Sequence, residues 1–237
     1  SDLVGVSSLL PEPLAKAATS SLALRIEKTN AEAGRVQYRA TLGDVARAVF
    51  VKGADGLERA VVVIGSGEAR LPDRGVAVRI VVPQFDADAW KALVAGDNAG
   101  RSDMKPPALD VVSIRTPRLR LFGRDFTDVD SEVRPRDDGW QITLNMQEVA
   151  GDVFWRNAGE GSVDGRLRRL VLRPAAETVG AANTTLINSL PAMNLRVDDF
   201  RIGDRALGRL DLRARNDKGA WHLETLNLQN PDGGLTG

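Results

Sequence analysis

Residues Trp140 to Met146 read Trp-Gln-Ile-Thr-Leu-Asn-Met, with four apolar side chains on one parity and three polar ones on the other. Successive side chains of an extended strand point to opposite faces, so this stretch makes a ribbon with one apolar and one hydrated face. The plan recurs along the chain. Val36, Tyr38, Ala40 and Leu42 alternate with Gln37, Arg39 and Thr41; Val76, Val78, Ile80 and Val82 are in phase; Arg209 to Arg215 alternates without a break. A chain so patterned folds mainly as β-sheet. With almost no catalytic equipment beside it, its function is sought on the apolar face rather than in a reaction centre.

Turn residues punctuate the pattern and delimit the strands. After a loop with one short helical turn in Ser7 to Ser20, strands are expected from Leu22, over Val36 to Leu42, Val45 to Val51, Leu57 to Ile64 and Gly75 to Val82. Asp86 can cap a helix running to about Val94, with Trp90, Leu93 and Val94 at helical spacing. Residues 96–107, rich in Gly, Asp, Asn, Lys and Pro, read as a linker between a first β segment, 1–95, and a second, 108–237. The second segment offers Leu109 to Ile114, Leu119 to Leu121, Phe126 to Arg134, Trp140 to Met146, Val149 to Trp155, Arg166 to Leu172, Met193 to Ile202 and Arg209 to Arg215. A helical turn is expected over Thr184 to Leu190. A change of parity near Glu224-Thr225 marks a turn or a bulge between Trp221-His222-Leu223 and Leu226-Asn227-Leu228.

Composition excludes several functions. The 32 basic and 32 acidic residues leave no net charge, which argues against a nucleic-acid partner. The absence of cysteine removes disulfides, zinc–thiolate sites and thiol nucleophiles. No apolar run reaches the ~20 residues of a membrane-spanning helix. The ends, Ser1-Asp2-Leu3-Val4-Gly5 and Gly233-Gly234-Leu235-Thr236-Gly237, read as those of an interior piece of something longer.

The residues that could carry chemistry have simpler explanations. The single histidine, His222, lies on the polar phase of its strand without the partners that a general base or metal ligand needs. The carboxylate pairs Asp137-Asp138, Asp198-Asp199 and Asp86/Asp88 sit at turns, where aspartate caps and closes backbone. Arg118 and Arg120 point opposite to Leu119 and Leu121, as on a solvated face. Trp90, Trp140, Trp155 and Trp221 are read as packing anchors, Trp140 and Trp221 near a sheet rim. No enzyme activity, metal or cofactor is expected.

A weak internal repeat is present at a spacing of 81: Val129-Asp130, Arg134 and Trp140 are echoed by Leu210-Asp211, Arg215 and Trp221. It implies a sheet lengthened by similar strand-rich units.

Three stretches carry a resemblance to a known family. They are Pro83-Gln84-Phe85-Asp86-Ala87-Asp88-Ala89-Trp90; Leu190-Pro191-Ala192-Met193-Asn194-Leu195 with Asp199-Phe200-Arg201-Ile202; and Leu207 to Leu212 followed by Trp221 to Glu224 and Leu226 to Gly233. Together they resemble the AsmA-like superfamily, within it the YhdP branch. The resemblance implies an extended, curved antiparallel sheet forming an apolar groove, with one or two short helices. It implies a periplasmic segment of a protein anchored in the inner membrane by a helix that this stretch lacks, and a part in moving phospholipid between inner and outer membranes. Acyl chains would then lie along Leu119, Leu121, Ile142, Leu144, Met146, Leu210, Leu212 and Leu223. Read without the resemblance, the same faces close on each other as a sandwich or barrel core. The competing reading is an envelope scaffold or assembly module with a closed β core and no conduit. A carbohydrate-binding sandwich is disfavoured by an aromatic content of 5%.

Overall fold

A computed structural model describes residues 1–30, 34–96, 108–156, 161–173, 191–217, 220–230 and 233–236. The chain divides into two compact units, Ser1–Glu132 and Val133–Gly237. Both are mainly β, as the alternation requires.

Unit 1 contains β1 (Leu24–Asn30), β2 (Val36–Leu42), β3 (Ala46–Gly53), β4 (Gly56–Gly65), β5 (Gly75–Val81), β6 (Gln84–Asp86), helix α1 (Ala87–Gly96) and β7 (Leu109–Leu121). Strand β8 (Arg124–Arg136) runs through the division. The unit's sheet order is β1-β2-β3-β4-β5-β7, with β6 pairing the far end of β7. Unit 2 contains β9 (Gly139–Asn145), β10 (Val149–Arg156), β11 (Ser162–Leu172), β12 (Ala192–Ile202), β13 (Arg205–Asp217), β14 (Ala220–Asn230) and β15 (Gly233–Thr236), each beside the next.

The sheet is mixed, which corrects the expectation of a purely antiparallel one. Strands β4 and β5, β5 and β7, β6 and β7, and β11 and β12 run parallel. Period-two alternation is the same in both kinds of ladder, so it cannot reveal direction. Parallel neighbours need a crossover that carries the chain back to its starting end. Between β4 and β5 that crossover is residues 66–74. It covers one face of unit 1, where Val49, Val61, Val63 and Ala77 are buried beneath Ala69 and Leu71. Arg47 Nη1 pins the crossover by donating to the carbonyls of Gly65 (3.3 Å) and Gly67 (2.8 Å).

Leu109 to Leu121 forms one strand of 13 residues, where two were expected around Thr116-Pro117. Proline has no N–H to give to a ladder. Here β5 pairs as far as Arg115 and β6 begins at Arg118, so Pro117 falls between two partners. Buried Thr116 bridges the gap: its hydroxyl accepts from Arg118 N (3.2 Å) and donates to Arg118 O (2.9 Å).

Helix α1 starts where the sequence places it, with Ala89 N donating to the Asp86 carboxylate at 2.9 Å. Phe85 of β6 stacks with Trp90 of the helix, their ring centroids 6.2 Å apart. The expected helical turn within Ser7 to Ser20 is instead a loop closed by a bridge between Ser8 and Lys16. The N-terminal stretch meets both β1 and α1: Leu24 N donates to Ser1 O, and the Trp90 indole donates to Glu12 O. The parity change near Glu224 is a bulge, because Arg213 faces Thr225 while Ala214 faces Leu223. The Thr184 to Leu190 turn and the linker from residue 97 onward lie outside the described residues.

The spacing of 81 recurs in the elements. Strands β8 and β13 begin at 124 and 205 and both span 13 residues. Strands β7 and β12 end at 121 and 202, and β9 and β14 begin at 139 and 220.

The turn between β7 and β8 is tied to the helix. Asp88 accepts from Phe122 N and Gly123 N, both at 2.7 Å. The Gly123 bond is the main cause that holds the Asp88 carboxyl below the usual carboxylate range, with Phe122, Arg120 and Lys91 adding to it against some desolvation. A carboxylate whose folded pKa is depressed stabilises the fold above its unfolded pKa and loses that contribution as pH falls through the folded value. Acidification below the ordinary aspartate range is therefore expected to release this turn. An NMR titration following the Gly123 amide should show a midpoint on the acid side of that range, and Asp88→Asn should abolish the transition.

Candidate functional site

Register partners share a face of the sheet, so the pairings define rows of side chains running across the strands. In unit 2 one row runs Leu144–Gly151–Leu167–Val197–Leu210–Leu228 from β9 to β14. The next runs Ile142–Val153–Gly165–Leu195–Leu212–Leu226, and a third Trp140–Trp155–Val163–Met193–Ala214–Leu223. No charged residue interrupts these three rows. They span five strand spacings, roughly 24 Å.

Leu167, Val197, Phe200 and Leu210 are buried at the centre of this face, with half-buried Leu144, Val149, Val153, Leu212, Leu226 and Leu228 packed against them. Trp155 and Leu223 stand out at 44% and 50% exposed. Among the described residues of unit 2 no helix or second sheet lies over these rows; each strand packs against its neighbours in the one sheet.

The opposite face is polar. Its rows read Thr143–Asp152–Arg166–Arg196–Asp211–Asn227 and Gln141–Phe154–Asp164–Asn194–Arg213–Thr225. Arg156 pairs with Asp164 and Asp138, and the Asp164 hydrogen bond raises its pKa further. Arg196 meets Asp211 at 3.4 Å and Arg215 meets Glu224 at 3.4 Å. An open cleft of about 330 Å³ lies on this side, lined by Gln141, Asp152, Phe154, Asp164, Arg166 and Arg196. His222 is exposed. No group of acidic or histidine side chains suited to a metal ion occurs among the described residues.

Unit 1 carries apolar side chains on both faces. Opposite the face covered by residues 66–74 lie the rows Leu42–Ala46–Ile64–Ile80–Ile114 and Ala40–Ala48–Val62–Val78–Val112. Ile64 and Ile80, at one end, are buried, while Ala48, Val62, Val78 and Val112 are half-buried.

Of the residues expected to line a groove, Ile142, Leu144, Leu210, Leu212 and Leu223 come together on the apolar face of unit 2. Met146 is buried in the turn after β9, where its N–H donates to Val149 O. Leu119 and Leu121 belong to unit 1; Leu119 is buried in register with Phe85 of β6, and Leu121 is half-buried. Sequence reasoning left Val153, Leu167, Leu195, Val197, Phe200, Leu226 and Leu228 out of the set. Phe200 joins the face only once a bulge is placed: it and Val197 share a face although they are three positions apart, because β12 carries an extra residue against β13.

A family model described as YhdP protein matches residues 1–237. Neither a curated protein nor a solved structure matches the chain.

Proposed function

The chain belongs to the YhdP family, the branch of AsmA-like envelope proteins associated with lipid transport that its sequence resembles, and from that premise we propose that it is a non-enzymatic segment of a periplasmic bridge that shields phospholipid acyl chains between inner and outer membranes. The observation that carries this reading is the apolar face of unit 2, three rows deep and free of charge, over which no helix or second sheet lies among the described residues. A face of that kind lowers the free energy of an acyl chain by ~0.8 kcal/mol per methylene removed from water, with no need for a polar anchor. Headgroups stay hydrated. Direction comes from elsewhere, since neither unit presents a nucleotide-binding motif.

The rows run across the strands, so a chain lying along them passes from β9 to β14 without meeting a polar side chain. Leu144, Leu212 and Leu226 stay half-buried around the buried centre of Leu167, Val197 and Leu210, and this accessible flank supports the reading. Native mass spectrometry and solvent extraction of the purified protein are expected to find phospholipid at a defined stoichiometry. A lipid-free protein that still captures envelope proteins on crosslinking would overturn the conduit in favour of the scaffold.

A further inference from the structure

The two-residue turn between β7 and β8 holds its backbone in the left-handed region at both positions, with φ of 53° at Phe122 and 69° at Gly123. Hairpin turns of this hand take asparagine, aspartate or glycine, and a bulky residue there is strained. The repeat provides a comparison within the chain. The turn between β12 and β13, 81 positions on, has Gly203 with φ of 57° in the place of Phe122. Phe122 thus occupies a position that suits glycine, and its ring is 72% exposed, so packing does not account for it.

The turn is held rigidly. Both of its N–H groups donate to Asp88 of α1, and Lys91 Nζ, one helical turn on, stands 5.3 Å from the centre of the Phe122 ring. Arg118, Arg120 and Arg124 flank the turn, and none of these four cations has a carboxylate within ion-pair distance among the described residues. Against them at the turn stand Asp86, Asp88 and Asp125, so the turn itself carries one net positive charge, while the loop with Leu9 carries exposed Glu12. A second apolar tip reaches the same helix. The loop that meets Trp90 through Glu12 O presents Leu9 at 96% exposed, beside Val6 and Leu10.

We propose that this edge of unit 1 is a bilayer-contact site, in which Phe122 and Leu9 enter the interfacial zone while Lys91, Arg118, Arg120 and Arg124 meet lipid phosphates. Apolar tips on two separate loops, one of them beside basic side chains, suit a fluid planar surface that accepts any spacing. A protein pocket would instead need one contiguous patch. The strain at Phe122 is what a fold tolerates when a side chain must be held outward for another purpose. The inference rests on unit 1 and is independent of lipid lying on the apolar face of unit 2.

The test is flotation of the 237-residue chain with vesicles of phosphatidylethanolamine and phosphatidylglycerol. The parent chain is expected to float with the vesicles. Phe122→Gly should weaken binding by about tenfold or more, since burial of one aromatic side chain exceeds that factor. Its melting temperature should stay level or rise, because glycine relieves the left-handed strain. Phe122→Trp should show a blue-shifted difference emission when vesicles are added, placing the ring in the interface. A parent chain that stays in solution, or a Phe122→Gly variant that floats as well as the parent, overturns the proposal; so does a parent bound to vesicles without a shift at Phe122→Trp. Lipid co-purifying with Phe122→Gly should equal that of the parent. Loss of co-purified lipid from both, with vesicle binding through Phe122 intact, would sink the conduit and leave this contact standing.

Discussion

Leu144→Arg and Leu212→Arg are expected to empty the protein of bound phospholipid while leaving its β-sheet in place. Both side chains are half-buried in the apolar rows of unit 2, on strands β9 and β13 at well-separated points of the same face. An arginine in either row puts a guanidinium where an acyl chain would lie. If it displaces three or four methylenes, the loss is about 3 kcal/mol, or roughly a hundredfold in lipid affinity. The arginine's own stem lies along the neighbouring leucines and its head reaches water, so the sheet is expected to lose only about 1–2 kcal/mol. Thr143→Arg is the matched control. It lies next to Leu144 on the opposite face and stands in register with Asp152, to which its hydroxyl now donates at 2.9 Å. It adds the same charge and should leave bound lipid unchanged. Extraction and mass spectrometry of the three variants, with circular dichroism to confirm folding, decide the matter. Equal lipid in Leu144→Arg, Leu212→Arg and Thr143→Arg would remove the apolar face from the path.

Much of the fold was legible because period-two alternation is a direct consequence of strand geometry. Val36 to Leu42 and Arg209 to Arg215 show it without interruption, and both are strands. The helix start at Asp86 was legible because a cap has a residue type and a position. Three features were hidden for physical reasons. Direction leaves no trace in the alternation, so the parallel pairs of β4 with β5 and β11 with β12 could not be read. A proline signals a break unless its missing N–H has no partner to lose, and the junction of β5 and β6 opposite Pro117 is set by contacts distant in sequence. Bulges reset parity, so the run Val197 to Phe200 looks out of phase although both ends face the same way. The candidate site was legible in part for the same reason. Ile142, Leu144, Leu210 and Leu212 sit in unbroken runs, so the face they share could be read from alternation alone. Leu195 and Val197 precede a bulge, and Phe200 follows it. Phe122 was invisible as a candidate, because nothing in Leu-Phe-Gly-Arg reveals a left-handed backbone until the turn length is known.

Which apolar faces are sealed and which are open can be decided by two adjacent residues of β4. Val61 is 0% exposed and lies beneath the 66–74 crossover with Val49, Val63 and Ala77. Val62 points to the other face, in the row Ala40–Ala48–Val62–Val78–Val112, and is half-buried. Val61→Asp places a carboxylate in a dry cluster, where the nearest cations on the same face, Arg47 and Arg79, already donate to the carbonyls of Gly65, Gly67 and Glu68. Such a group costs several kcal/mol whether it stays charged or takes up a proton, and about 4 kcal/mol or more is expected here, a large part of the stability of an ordinary unit. Val62→Asp forfeits its apolar contacts, about 1–2 kcal/mol, but its carboxylate keeps access to water and stays ionised. The two residues share a strand and a side-chain volume, and differ only in what lies above them. Urea denaturation should therefore separate the variants by at least about 2 kcal/mol, with Val61→Asp the weaker. A pKa in the ordinary aspartate range for the new carboxyl of Val62→Asp, followed by NMR, would independently report contact with solvent. Equal and severe destabilisation by both substitutions would mean that something covers the Val62 face as completely as residues 66–74 cover the Val61 face. An open apolar surface in unit 1 could then not be maintained.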